Sequence, residues 1–283
     1  MNLELTEISL CHPQLPPALD GLRLLQIADL HTRDYGPRER LVKQIIGQDA
    51  DLLLATGDSC FQLRLGNPMA DKYAENECTG YGLTRRGLVF RPRVEAALAV
   101  WRNLLADANF PLGIYAIQGN HDPDEFIKPF TQMGINLLVN DAQVVSSRGG
   151  EFNLAGLRGF GRVSSDIPRL LANTQPGRFT ICLSHYPELV ECLAAAGFHL
   201  VLSGHTHGGQ VCLPGGRPIS THCWTSREYV RGLNWLGQTC LYTSRGLGYS
   251  MLPLRIYSNP EIVRLTLHPG PTADTRIETT VFS

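Results

Sequence analysis

No stretch of this sequence approaches 18 continuous apolar residues, so a membrane-spanning helix is not expected. Excess charge of one sign is also lacking. The formal net charge is −1 over 283 residues, which argues against a nucleic-acid binder held by bulk electrostatics. A local basic pocket for a phosphorylated ligand stays open. The eight cysteines include no C-x-x-C pair, and several, such as Cys182 and Cys240, fall inside apolar strand-like runs. That pattern points to buried thiols in a reducing compartment rather than to a disulfide framework. The opening MNLELTEISL has neither a basic n-region nor a long apolar core, so no secretory signal is expected. The expectation is a cytoplasmic protein, with peripheral membrane contact left open. Internal repeats and low-complexity segments are absent as well.

What the chain does contain is one design used five times. LRLLQIADLHT (22–32), DLLLATGDS (51–59), GIYAIQGNHD (113–122), FTICLSHYP (179–187) and HLVLSGHTHGG (199–209) each begin with a short apolar run. Runs of that kind suit strands buried on both faces, and each then breaks at small or polar residues. Helix-like stretches lie between them at 37–48, 93–108, 123–133 and 187–196, so the alternation predicts an α/β sheet with covered faces. A more β-rich portion follows the third run, and QTCLYTSR and EIVRLTLH add strands near the end. Segment 61–92, polar and long, is expected to be an insertion or a lid beside the site, and 269–283 a loosely held tail.

The polar breaks carry the chemistry. They deliver Asp29 and His31, then Asp58, then Asn120, His121 and Asp122, then His185, then His205 and His207. In an extended segment residues i and i+2 point the same way, so each D-x-H or H-x-H pair is expected to aim two ligands at one centre or at neighbouring centres. Any single histidine at a strand end is most often an ordinary polar residue. Five of the nine histidines, however, fall in these five breaks. Oxygen and imidazole donors without thiolate suit manganese first, with iron and zinc also compatible. Seven candidate ligands exceed what one tetrahedral zinc needs and fit two divalent cations sharing a carboxylate.

In that order, D-x-H at 29–31, G-D at 57–58, G-N-H-D at 119–122, His185 and G-H-x-H at 204–207 resemble the calcineurin-like metallophosphoesterase superfamily. The resemblance covers about residues 20 to 267. It implies one catalytic domain over 1–283 and a four-layer αββα sandwich of two mixed β-sheets flanked by helices. It also implies Asp29, His31 and His207 on one cation, Asn120, His185 and His205 on the other, and Asp58 bridging both. His121 is implied beside the leaving oxygen, with Asp122 holding its ring. The closing HTHGGQVCLP, REYVRGL and LYTSRGLGYSMLPLRIYSNPEI resemble a bacterial branch of membrane-associated phosphodiesterases, including UDP-2,3-diacylglucosamine pyrophosphatase-like enzymes. Members of that branch often start with a membrane segment, which is not seen here.

The implied activity is hydrolysis of a phosphodiester or pyrophosphate bond by activated hydroxide, on a small phosphorylated substrate, with a nucleotide-linked lipid among the candidates. A phosphomonoesterase or protein phosphatase, and a non-catalytic scaffold of the same fold, are the alternatives. Arg245 in TSRGLGYS and Arg162 in GFGRVSS are candidate partners for a substrate phosphate.

Overall fold

A computed structural model describes residues 2–32, 36–47, 49–60, 94–147, 149–158, 166–221, 226–250 and 253–283. The expected lid at 61–92 and Arg162 lie outside the described residues.

Fifteen strands and five α-helices are described. The strands, in chain order, are β1 (Leu3–His12), β2 (Leu22–Ile27), β3 (Leu52–Ala55), β4 (Ile114–Ala116), β5 (Ile135–Leu137), β6 (Asp141–Ser147), β7 (Gly150–Leu157) and β8 (Thr180–Ser184). They continue as β9 (Leu200–Ser203), β10 (Cys212–Leu213), β11 (Arg217–Pro218), β12 (Gly232–Leu236), β13 (Thr239–Thr243), β14 (Glu261–Pro269) and β15 (Arg276–Phe282). The helices are α1 (Pro37–Ile46), α2 (Val94–Leu105), α3 (Ile127–Gln132), α4 (Ile167–Asn173) and α5 (Val190–Ala195).

One sheet runs β15-β1-β14-β2-β3-β4-β5 and the other β12-β13-β9-β8-β7-β6, with β10 and β11 a separate hairpin. Strand alternation explains the layering. Leu24, Leu52 and Leu54 point inward onto Phe152, Leu154, Ile181, Leu183 and Leu202 of the second sheet. Their neighbours Leu25, Leu53 and Ala55 point outward under Val42, Ile45 and Trp101 of α1 and α2. On the far side, Ala155, Cys182 and Val201 lie under Leu170 and Leu193 of α4 and α5. Both faces of the central strands are covered, so these strands are mostly apolar, as in LLLA of β3 and LVLS of β9. The result is the expected αββα sandwich.

Two features differ from the sequence expectation. Residues 276–282 are not a loose tail: they form β15, which pairs antiparallel with β1 from Leu3↔Phe282 to Ser9↔Arg276. Its side chains are largely exposed, so apolar periodicity does not betray it, and the strand is held by backbone pairing at the sheet edge. Also, helix-like stretches 123–133 and 187–196 each begin with a 3₁₀ turn, at Asp124–Phe126 and Pro187–Leu189, before the α-helix. Strands β2, β3 and β4 are parallel, as are β8, β9 and β13. Their carboxyl ends converge, which is where open α/β sheets place ligands.

Candidate metal centre

Each predicted ligand follows the carboxyl end of one of these strands. Asp29 and His31 come after β2, Asp58 after β3, Asn120 after β4, His185 after β8, and His205 and His207 after β9. The way they converge differs from the expected i, i+2 alternation. Asp29, His31, Asp58, His205 and His207 all have positive φ, at 47°, 40°, 55°, 70° and 53°. These are left-handed turns rather than extended segments. Asp, Asn and His tolerate that region better than most residues, but holding five side-chain-bearing residues there implies strain fixed by surrounding packing. Close backbone approach completes the packing. A Cβ on Gly119 would lie 2.1 Å from Asp58 Oδ1, so only glycine lets the third loop reach the second.

The side chains form two groups around Asp58. Its Oδ2 lies 3.5 Å from His31 Nε2 and 3.4 Å from His185 Nε2, while its Oδ1 accepts from the His121 backbone N–H at 2.8 Å. On one side, the His31 and His207 rings stack with Nε2 atoms 3.2 Å apart, and His207 Nε2 is 3.9 Å from Asp29 Oδ1. On the other, Asn120 Oδ1 lies 3.0 Å from His185 Nε2 and 3.1 Å from His205 Nδ1. The ligand atoms of Asp29, His31 and His207 lie within 4.8 Å of one another, as do those of Asp29, Asp58 and His185. Asp29 thus belongs to both clusters, and the His205 backbone N–H donates to both of its oxygens at 3.0 Å.

The surroundings prepare these groups for cations. His31 Nδ1 lies 2.9 Å from the Cys60 carbonyl and His185 Nδ1 2.8 Å from the Thr56 carbonyl. In each ring Nδ1–H donates to that carbonyl in the neutral tautomer, which leaves the Nε2 lone pair facing Asp58. Burial pushes the Asp29 carboxyl up to about 7 against the pull of His185, and the nearby Asp58 charge adds to the rise. Burial would raise Asp58 too, but the charges of His185 and His121 outweigh it and hold Asp58 well below the usual range. Burial pushes His31 down to about 4, with Asp58 opposing. His207 falls well below its ordinary value through burial and then through the charges of His31 and Arg255. For His185 burial is overcome by Asp58, which carries it up to about 9. Two aspartates and three imidazoles packed this tightly with almost no solvent contact fit divalent cations, which would replace the missing solvation of the carboxylates.

His121 is half-buried at the rim, its ring 5.1 Å from that of His31. Asp122 clamps two ligand loops together: its Oδ1 accepts from Cys60 N at 2.9 Å and its Oδ2 from Gly119 N at 3.0 Å. Burial, then the Asp58 charge, raises its carboxyl to about 7. Arg245 is engaged by two carboxylates. Its Nη2 sits 2.7 Å from Glu4 and 2.5 Å from the buried Glu261, tying the end of β13 to β14 and β1.

The residue that sequence reasoning missed is Arg255. Its guanidinium donates to Gly248 O at 2.6 Å, Arg245 O at 2.8 Å and His207 O at 3.2 Å, and its Nη2 lies 3.2 Å from His207 Nδ1. The loop it holds, 245–248, is laid against Asp29: Leu247 N donates to Ala28 O at 3.0 Å and Gly248 N to Asp29 O at 2.6 Å. Arg255 therefore links the strand-end loops of Asp29 and His207. A lone charge inside the apolar stretch LPLRIYS was the available signal.

A buried set of carboxylates and imidazoles at the strand ends of an αββα sandwich defines a metal-dependent phosphoesterase. The description "calcineurin-like phosphoesterase" matches residues 22–209, and the chain belongs to that family. It is similar to the metallophosphoesterase YkuE of Bacillus subtilis, 30% identical over 94% of this chain and 85% of that protein. It is also similar to the phosphodiesterase YaeI of Escherichia coli, 29% identical over 87% of this chain and 82% of that one. A third relative is the UDP-2,3-diacylglucosamine pyrophosphatase LpxG of Chlamydia muridarum, 25% identical over 92% and 88%. No helix among the described residues is long and apolar enough to cross a membrane.

Proposed function

We propose that this chain hydrolyses a phosphodiester or pyrophosphate bond with two divalent cations, manganese first among them. The observation that carries the reading is the position of Asp58, with one carboxylate oxygen 3.5 Å and 3.4 Å from imidazole nitrogens of the two groups. Asp29, His31 and His207 would hold one cation and Asn120, His185 and His205 the other, with Asp58 shared. Bound there, the cations neutralise phosphoryl oxygens and lower the pKa of water from 15.7 towards about 7.

The protein's own groups do the rest. Buried Asp29 and Asp58 supply fixed negative charge, and the carbonyls of Cys60 and Thr56 keep the His31 and His185 rings turned with Nε2 inward. His121, on the rim, donates a hydrogen bond or proton to the departing oxygen, an effect typically worth about 10²–10⁴-fold. The substrate class rests on the relatives: YaeI is a phosphodiesterase and LpxG a pyrophosphatase acting on a nucleotide-linked lipid. A lipid-linked nucleotide in a cytoplasmic or membrane-peripheral setting is the finer reading.

The test is a hydrolysis panel on manganese-reconstituted protein: bis-p-nitrophenyl phosphate, p-nitrophenyl phosphate, cyclic nucleotides and UDP-diacylglucosamine. Faster turnover of the diester than of the monoester, lost in His121→Ala with metal retained, supports the reading. A preference for p-nitrophenyl phosphate would move the protein to the phosphomonoesterases, and no turnover of any substrate would leave a binding scaffold.

A further inference from the structure

Large apolar side chains that remain exposed are not spread evenly over this protein. Of the nine among the described residues, five (Leu213, Ile219, Leu254, Ile256 and Tyr257) fall in two short segments, 213–219 and 254–257. Scattered exposed hydrophobics need no explanation, whereas a contiguous group of them marks a contact surface.

Backbone pairing shows that the group is contiguous. Cys212 pairs antiparallel with Pro218 and Leu213 with Arg217, which sets Val211 opposite Ile219, where Ile219 N donates to Val211 O at 3.2 Å. Val211 also bridges in parallel to Ile256. Ile219, Val211 and Ile256 therefore form one cross-strand row, and directly opposed residues share a face. Leu213 and Leu254, two positions from Val211 and Ile256 in opposite directions, extend that face to either side of the row, with Arg217 opposite Leu213.

The other face of this small sheet is turned inward, where Cys212 Sγ lies 3.3 Å from Gly208 O and Pro218 packs under Gly209. Gly208 directly follows His207. The apolar face is thus the outer side of the loop that carries a metal ligand.

Charge narrows the occupant. Residues 201–260 hold five arginines and a single acidic residue, Glu228, in a chain whose net charge is −1. Arg245 is tied up inside by carboxylates and Arg255 by backbone carbonyls, but Arg217 and Arg227 are exposed and Arg231 half-exposed near Tyr257, whose carbonyl its Nη1 reaches at 3.4 Å. Exposed aliphatic side chains with Arg217 paired beside Leu213 on the same face, and Arg231 close by, match the water–lipid boundary of an anionic bilayer, where each basic residue near the surface strengthens binding.

We propose that this face docks the protein on anionic phospholipid surfaces, independently of which phosphoester it cleaves. Co-sedimentation tests it, using vesicles of phosphatidylcholine alone and of equimolar phosphatidylcholine and phosphatidylglycerol. The wild type should sediment with the anionic vesicles and not with the neutral ones. Leu213→Asp with Ile219→Asp should cut partitioning by about tenfold or more, and Arg217→Glu should weaken it and flatten its salt dependence. Bis-p-nitrophenyl phosphate hydrolysis should persist in these variants, which separates loss of docking from misfolding. Leu213→Ser with Ile219→Ser provides a gentler pair should the acidic one fold poorly. Wild-type protein that ignores anionic vesicles, or acidic variants that bind them equally, would overturn the proposal. So would a wild-type dimer that the variants convert to monomer, because a second copy would then be the occupant.

Discussion

Replacing Arg255 with Met keeps much of the stem and removes the fork. The wild-type guanidinium supplies hydrogen bonds to the carbonyls of Gly248, Arg245, His207 and Ser258 at 2.6–3.2 Å. Each charged hydrogen bond contributes roughly 1.5–3 kcal/mol, and a buried acceptor left unmatched costs about 1–3 kcal/mol. Water entering the space and relaxation of the loop recover part of that, so a net loss of about 3–5 kcal/mol is expected, the usual range for breaking a buried charged network. At about 2 °C per kcal/mol for a chain of this size, the melting temperature should fall by roughly 6–10 °C. The more specific consequence concerns the metals. Because Arg255 joins the loops of Asp29 and His207, the cation held by those residues should be lost first. Metal analysis after dialysis should give about one equivalent where wild type keeps two, with the Asn120, His185 and His205 side still loaded. Arg255→Lys keeps the charge but cannot span the same carbonyls, so it should fall between the two. Unchanged melting together with two retained equivalents in Arg255→Met would refute the reasoning.

Other outcomes follow from the same geometry. Asp58→Ala should lose both cations, whereas His121→Ala should keep them and lose turnover about 10²–10⁴-fold, most for poor leaving groups, as metal analysis beside kinetics would show. Gly119→Ala would place a methyl 2.1 Å from Asp58 Oδ1, so thermal melts and metal titration should show a weakened centre, by about 2–4 kcal/mol if the loop shifts to avoid overlap. For metal-free protein the folded His185 binds its proton up to about pH 9, against an ordinary value of 6.5, and Asp29 and Asp122 hold theirs to about 7. Raised values of this kind stabilise the fold at lower pH and lose that contribution as pH rises. Metal-free melting temperature should therefore decline from about pH 6.5 to 9, below which His31 and His207, both lowered, oppose the carboxylates. Added manganese should reverse that slope, since cation binding competes with the same protons.

Much of the site could be read from the chain because donor residues and apolar strands obey short-range rules. Asp29, Asp58 and His185 each stand within three residues of the end of an apolar run, and burial on both faces makes such runs easy to see. What could not be read was long-range or conformational. Alternation along an extended segment correctly paired Asp29 with His31, but for the wrong reason, because the turns are left-handed. In sequence nothing shows what surrounds Arg245 or Arg255 in the fold. Only the fold brings Glu4 and Glu261 to the first and a ring of carbonyls to the second. Strand β15 escaped notice because its exposed side chains carry no apolar pattern, while its backbone pairs with β1 at the opposite end of the chain.

The central claim is that Asp58 stands between two cations. Anomalous diffraction from crystals grown with manganese tests it directly. Two peaks about 3.5–4 Å apart are expected, one beside Asp29, His31 and His207 and the other beside Asn120, His185 and His205, with Asp58 touching both. A single peak, or two that do not share Asp58, would contradict it.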